Sequence, residues 1–131
     1  MRALIVEDNP TSQKLMRKML APLGECSIAD DGREGVQAFE EALLEDKPYD
    51  LVCLDIMMPR MDGHEVLAEI RRIERENHLP PEGAVKVIMT TAVHSPSSVA
   101  EAQQNGCDGY LVKPIRKVDF YEELERLGLM P

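Results

Sequence analysis

Val52-Cys53-Leu54-Asp55-Ile56-Met57-Met58-Pro59-Arg60-Met61-Asp62-Gly63 is the stretch that decides the fold. A short apolar run ends in one aspartate, and a proline and an Asp-Gly turn follow closely. An apolar run of this length, bounded by turn signals, suits a strand buried on both faces, as in a parallel sheet. The carboxyl ends of such strands form the edge where doubly wound folds hold their ligands. Asp55 is therefore expected to serve chemistry rather than solvation.

Outward from that run, strand-like segments alternate with helical patterns. The strands are expected at Ala3–Val6, Cys26–Ala29, Leu51–Leu54, Val85–Met89 and Gly109–Val112. Asn9-Pro10 offers a cap and a first-turn proline, after which Leu15, Met16, Met19, Leu20 and Leu23 make one apolar face. Gly32 precedes a second helix carrying Val36, Phe39 and Leu43. Asp62 with Glu65 resembles a capping box for a third, continued by Val66, Leu67, Ile70 and Ile73. Ser95-Pro96 repeats the cap-plus-proline device, and Phe120, Leu124 and Leu127 mark the fifth helix. The long connection from Glu74 to Ala84, with Pro80-Pro81 and Gly83, reads as a loop. Strict β-α alternation predicts an α/β fold with helices on both faces of a parallel sheet. Five strands favour the flavodoxin-like, doubly wound order 2-1-3-4-5, in a single domain over residues 1–131.

Composition narrows the function. The net charge of −9 argues against direct nucleic-acid binding, which needs a basic stripe, and against an anionic membrane surface. No apolar stretch approaches the roughly 20 residues that span a bilayer. Met1-Arg2-Ala3 runs straight into a strand, so no signal peptide is expected. Cys26, Cys53 and Cys107 are widely spaced, and buried, reduced thiols in a cytoplasmic protein are the expected state. His64, His78 and His94 lack metal-ligand spacing and are expected at the surface.

The strand ends bring together Glu7 and Asp8, Asp55, Thr90 and Thr91, and Lys113-Pro114. Three carboxylates in one crevice repel unless a cation intervenes. Mg²⁺ suits them, being hard, oxygen-seeking and content with carboxylates plus phosphate oxygens. Asp55 can act as nucleophile toward phosphorus. The Lys113 ammonium and the Thr91 hydroxyl can each bind a phosphoryl oxygen.

Five pieces then stand in register: Leu4-Ile5-Val6-Glu7-Asp8-Asn9, Asp30-Asp31-Gly32, Asp55 to Gly63, Met89-Thr90-Thr91-Ala92 and Gly109-Tyr110-Leu111-Val112-Lys113-Pro114. Together they resemble the receiver domain of two-component response regulators. The resemblance implies that Asp55 accepts phosphate from a histidine kinase or a histidine phosphotransfer protein. It implies Mg²⁺ on Glu7, Asp8, Asp55 and the Met57 backbone carbonyl, Thr91 as switch hydroxyl, Tyr110 as switch aromatic, and a cis Lys113-Pro114 bond. Between Thr90 and Thr91, the Thr-Ala step favours Thr91. Met57 and Val93, two residues beyond Asp55 and Thr91, offer no group to orient water, so a long-lived phosphoryl group is expected.

No separate substrate turnover is expected, so the chain is not classed as an enzyme. A hydrolase Asp-x-Asp motif is absent because Met57 holds its second position. By fold analogy, donor docking is placed around Pro10, Thr11, Ser12 and Ile115–Val118. A second surface, Ser97–Asn105 with Asp119–Glu125, is placed for an unknown downstream protein target or a weak homodimer. A phosphorylation-independent interaction module of the same fold is the alternative.

Overall fold

The apolar run forms β3 (Leu51–Asp55), buried at every residue, and Asp55 is its last position. The computed structural model describes residues 1–130; Pro131, the last residue of the expected domain, lies outside them. The other strands are β1 (Arg2–Val6), β2 (Glu25–Ala29), β4 (Lys86–Thr91) and β5 (Gly109–Val112). All pair in parallel in the order β2-β1-β3-β4-β5, the flavodoxin-like order expected.

Five helices join them: α1 (Pro10–Leu20), α2 (Gly32–Leu44), α3 (Gly63–Glu76), α4 (Pro96–Gln104) and α5 (Lys117–Arg126). Their starts follow the local chemistry. Asn9 accepts from the Ser12 N–H, Asp31 from Glu34, and Ser95 from Ser98. Asp62 and Glu65 complete a reciprocal capping box at α3. The Glu74–Ala84 connection includes the last residues of α3 and a short 3-10 turn at Pro81–Gly83.

Strand alternation divides the core in two. Leu4, Val6, Val52, Leu54, Val87 and Met89 pack on one face against Phe39, Val66, Leu67 and Ile70. Ala3, Ile5, Cys53 and Ile88 pack on the other against Met16, Met19, Leu20, Phe120 and Leu124. Leu15 departs from the expected apolar face of α1: it is 41% exposed and turns toward solvent beside the strand ends. The fourth strand begins one residue later than expected and runs two residues further, so Thr90 and Thr91 lie inside it.

Gly63 fixes how α3 leaves the acceptor strand. A Cβ there would stand 2.5 Å from the Asp55 carbonyl oxygen and 2.7 Å from the Ile56 Cα. The Gly63 N–H donates to the Ile56 carbonyl at 2.9 Å. The turn after Asp55 closes this tightly only because the residue lacks a side chain.

Candidate functional site

Glu7 and Asp8 follow β1, Asp55 ends β3 and Lys113 follows β5, so the sheet topology alone gathers them at one edge. One oxygen from each of Glu7, Asp8 and Asp55 lies within 4.8 Å of the others. Glu7 and Asp55 are buried and Asp8 is exposed, so the cluster opens to solvent on the Asp8 side. The Lys113 ammonium donates to Glu7 and stands 3.5 Å from Asp55 Oδ2. The Met57 N–H donates to Asp55 Oδ1 at 3.2 Å. The Lys113-Pro114 bond is cis, as the sequence implied.

Neighbouring groups hold the acidic loop. Gln13 donates to the Glu7 carbonyl at 2.6 Å and to the Asp30 carboxylate at 2.7 Å. The Asn9 N–H donates to Glu7 Oε2 at 3.2 Å. Gln13 was not singled out in the sequence, although its place one turn after the Asn9 cap points it back at that loop.

Thr91 takes a separate place. Its hydroxyl accepts the Val93 N–H at 3.2 Å, and alternation puts it on the sheet face of Met89 and Tyr110. Thr90 takes the opposite face and lines the cleft with Glu7 and Lys113. The Tyr110 hydroxyl is buried without a hydrogen-bond partner among the described residues. Met57 and Val93 are 62% and 58% exposed, presenting apolar side chains to solvent beyond Asp55 and Thr91.

His64 corrects the expectation of a surface histidine. Its side chain is only 11% exposed, and Nε2 lies 3.0 Å from the Ser98 hydroxyl of α4. The helical position after Gly63 turns it toward α4, which spacing between histidines does not reveal. The three cysteines are free, but only Cys53, inside β3, is buried as expected; Cys26 and Cys107 are half-buried, since Cys26 lies on the edge strand β2 and Cys107 in the connection before β5. No helix among the described residues is long and apolar enough to cross a membrane.

Burial pushes the Asp55 carboxyl up to about 7, and Glu7 facing it adds to the effect; Lys113 opposes it. An acid raised above its unfolded value of 3.8 binds more protons folded than unfolded across that window. Its contribution to stability is therefore lost as pH rises from about 4 to about 7. We expect wild-type stability in EDTA, relative to Asp55→Asn, to fall between about pH 4 and about pH 7, and millimolar Mg²⁺ to flatten the trend. Urea denaturation of both proteins measures it; a relative stability that rises with pH in EDTA contradicts the assignment.

The response regulator receiver domain model matches residues 3–125. The chain belongs to this family. Chemotaxis protein CheY-3 of Vibrio cholerae is 33% identical over 129 residues, covering 97% of this chain and 91% of that one. The receiver domain of the histidine kinase CKI1 from Arabidopsis thaliana, crystallised with Mg²⁺ and BeF3⁻, superposes with a TM-score of 0.81 at 28% identity, over 95% of this chain and 89% of that one. A chain of the Saccharomyces cerevisiae complex between the phosphotransfer protein Ypd1 and the receiver domain of Ssk1 gives a TM-score of 0.83 at 25% identity, over 99% and 90%. The protein is a receiver domain of two-component signalling, with the parallel fold and sheet order expected of one.

Proposed function

We propose that this receiver is a phosphorylation-driven switch. Asp55 takes a phosphoryl group from the phosphohistidine of a histidine kinase or histidine phosphotransfer protein. The observation that carries this reading is the convergence of Glu7, Asp8 and Asp55 oxygens within 4.8 Å, with Lys113 over them. The CKI1 receiver crystallised with Mg²⁺ and the Ssk1 receiver held by Ypd1 support it. The donor set is all oxygen, which suits a hard cation.

Glu7, Asp8, Asp55 and the Met57 carbonyl would hold Mg²⁺, whose charge would neutralise carboxylate and phosphoryl oxygens. An Asp55 oxygen bonds to phosphorus as the phosphorus–nitrogen bond of the donor breaks, and the released imidazole recovers a proton. Lys113 neutralises the incoming oxygens. Thr91 then leaves the Val93 N–H for the phosphoryl group, and Tyr110 packs into the space behind it. The α4–β5–α5 surface changes and alters the hold on a protein target. The group shifts that equilibrium only by its differential contacts with the two states. The chain turns over no separate substrate in this role, and it acts in the cytoplasm.

Phosphoramidate with Mg²⁺ is expected to label the wild-type protein at Asp55. Asp55→Asn or EDTA should abolish the label, which should last minutes because Met57 and Val93 orient no water. Mass spectrometry follows it. Absence of label on the folded wild type would instead support a phosphorylation-independent interaction module.

A further inference from the structure

The two acids that follow β1 are held by unequal means. The Glu7 side chain is secured at both oxygens, by Lys113 on Oε1 and by the Asn9 N–H on Oε2. Asp8 is exposed, and its carboxylate forms no hydrogen bond or ion pair among the described residues. The direction of Asp8 therefore depends on the peptide that joins it to Glu7. A peptide is planar and turns as one unit, so fixing its oxygen fixes how one acid stands relative to the other.

That oxygen belongs to Gln13. The Glu7 carbonyl accepts from Gln13 Nε2 at 2.6 Å, and the same nitrogen donates to Asp30 Oδ1 at 2.7 Å. Both partners are acceptors, so the amide must turn its nitrogen toward them, and both of its hydrogens are used. Each end of this bridge is itself anchored. The Gln13 N–H donates to the Asn9 carbonyl at 2.9 Å in the first turn of α1. The Asp30 N–H donates to Glu34 Oε2 at 3.2 Å. Asp30 is not one of the carboxylates that converge within 4.8 Å, so its link to the cluster runs through the Gln13 amide.

We propose that Gln13 is a positioning residue for the cation site, and that Asp30 acts on that site only by aiming the Gln13 amide. The inference rests on the reading of Glu7, Asp8 and Asp55 as cation ligands and adds what sets their hold on Mg²⁺. Groups that orient metal ligands typically change affinity about 10–100-fold when removed. Asp30 is exposed, so the bridge carries the tuning of a partly buried site out to the surface between β2 and α2.

The test titrates Mg²⁺ alone into the unphosphorylated protein by calorimetry. Gln13→Met keeps the length of the side chain and deletes both donors; its Kd for Mg²⁺ is expected to rise about tenfold. Labelling by phosphoramidate that is slow at limiting Mg²⁺ should recover in this variant as Mg²⁺ is raised. Asp30→Asn keeps an oxygen for Gln13 and should stay within about twofold of wild type, whereas Asp30→Ala should weaken binding about threefold. In the Gln13→Met background Asp30→Ala should add nothing, since its route to the site is already gone. Should Gln13→Met fail to fold, the comparison of Asp30→Asn with Asp30→Ala, at an exposed position, still decides. Equal Kd values for wild type and folded Gln13→Met overturn the proposal. So does equal weakening by Asp30→Asn and Asp30→Ala, or an additive cycle, because either makes Asp30 a charge acting through space. A wild type that binds no Mg²⁺ at millimolar concentration removes the cation reading beneath the proposal. A wild type that binds it with variants that bind it equally well removes only the role of Gln13.

Discussion

Lys113→Met should slow Mg²⁺-dependent labelling of Asp55 about 100-fold, in line with the loss of one preorganised charge from a partly dry site. Methionine keeps an unbranched apolar stem in the cleft and deletes only the ammonium. The deleted charge has two tasks here. It donates to Glu7 and stands 3.5 Å from Asp55, holding two buried carboxylates next to each other. It is also the side-chain cation beside Asp55, where the phosphoryl group is proposed to attach. Without it the Asp55 carboxyl, already up at about 7, loses the neighbour that favours its ionised form and keeps its proton to higher pH. Raising the pH should therefore recover part of the lost rate in the variant. Lys113→Arg should retain the charge yet label more slowly than wild type, because a planar fork does not replace a compact ammonium. The folded state should lose on the order of 2 kcal/mol in EDTA at neutral pH, less than a fully buried pair costs, since the Lys113 side chain is 21% exposed. Initial labelling rates with phosphoramidate at matched Mg²⁺ decide it. A Lys113→Met protein that labels within threefold of wild type would remove Lys113 from the chemistry.

The parallel sheet and the acidic centre were legible because each rests on short-range pattern plus topology. An apolar run closed by Asp55 gives a buried strand and a charge at its end. Strict alternation then places Glu7, Asp8 and Lys113 at the same edge without any knowledge of side-chain direction. What escaped depends on facing. Thr90 and Thr91 look alike in sequence, and only the register Asp55↔Thr90 and Thr91↔Val112 shows which face each takes. Leu15 fits the apolar stripe of α1 but sits where the helix overhangs the strand ends, with nothing above it to pack against. His64 carries no spacing signal, since its environment is made by α4, remote in sequence. Arg71 was also missed, because a helical arginine gives no local sign that acceptors from three other residues beyond its helix, Val85, Gly106 and Asp108, will converge on it.

That convergence sets the largest stability effect expected in the molecule. The Arg71 guanidinium donates to the carbonyl of Gly106 at 2.7 and 3.1 Å and to that of Val85 at 2.9 Å. It also binds the Glu74 carboxylate at 2.7 Å and that of Asp108 at 3.0 Å. Glu74 is 5% exposed and accepts the Val85 N–H at 2.7 Å, while Asp108 accepts the Val87 N–H at 2.9 Å. One side chain thus ties the end of α3 to the residue before β4, to Gly106 just past the end of α4, and to the approach to β5. α4 depends on this anchor, because Ala102 is its one buried residue. Arg71→Met fills similar space with an apolar chain and strands the Glu74 charge in the interior. Breaking a buried pair in this way costs about 3–5 kcal/mol, a large share of the about 5–15 kcal/mol that holds a domain of this size. Adding Glu74→Gln to Arg71→Met removes the stranded charge and keeps an oxygen for Val85, so it should restore about 1–2 kcal/mol. Glu74→Gln alone should destabilise, which makes the coupling between the two positions measurable in a double-mutant cycle. Urea unfolding of the four proteins gives the cycle, and amide exchange should show α4 opening before the sheet in Arg71→Met. Additive effects of the two substitutions, or a loss below about 1 kcal/mol in Arg71→Met, would mean that the guanidinium is a surface ornament and that α4 is held by packing alone.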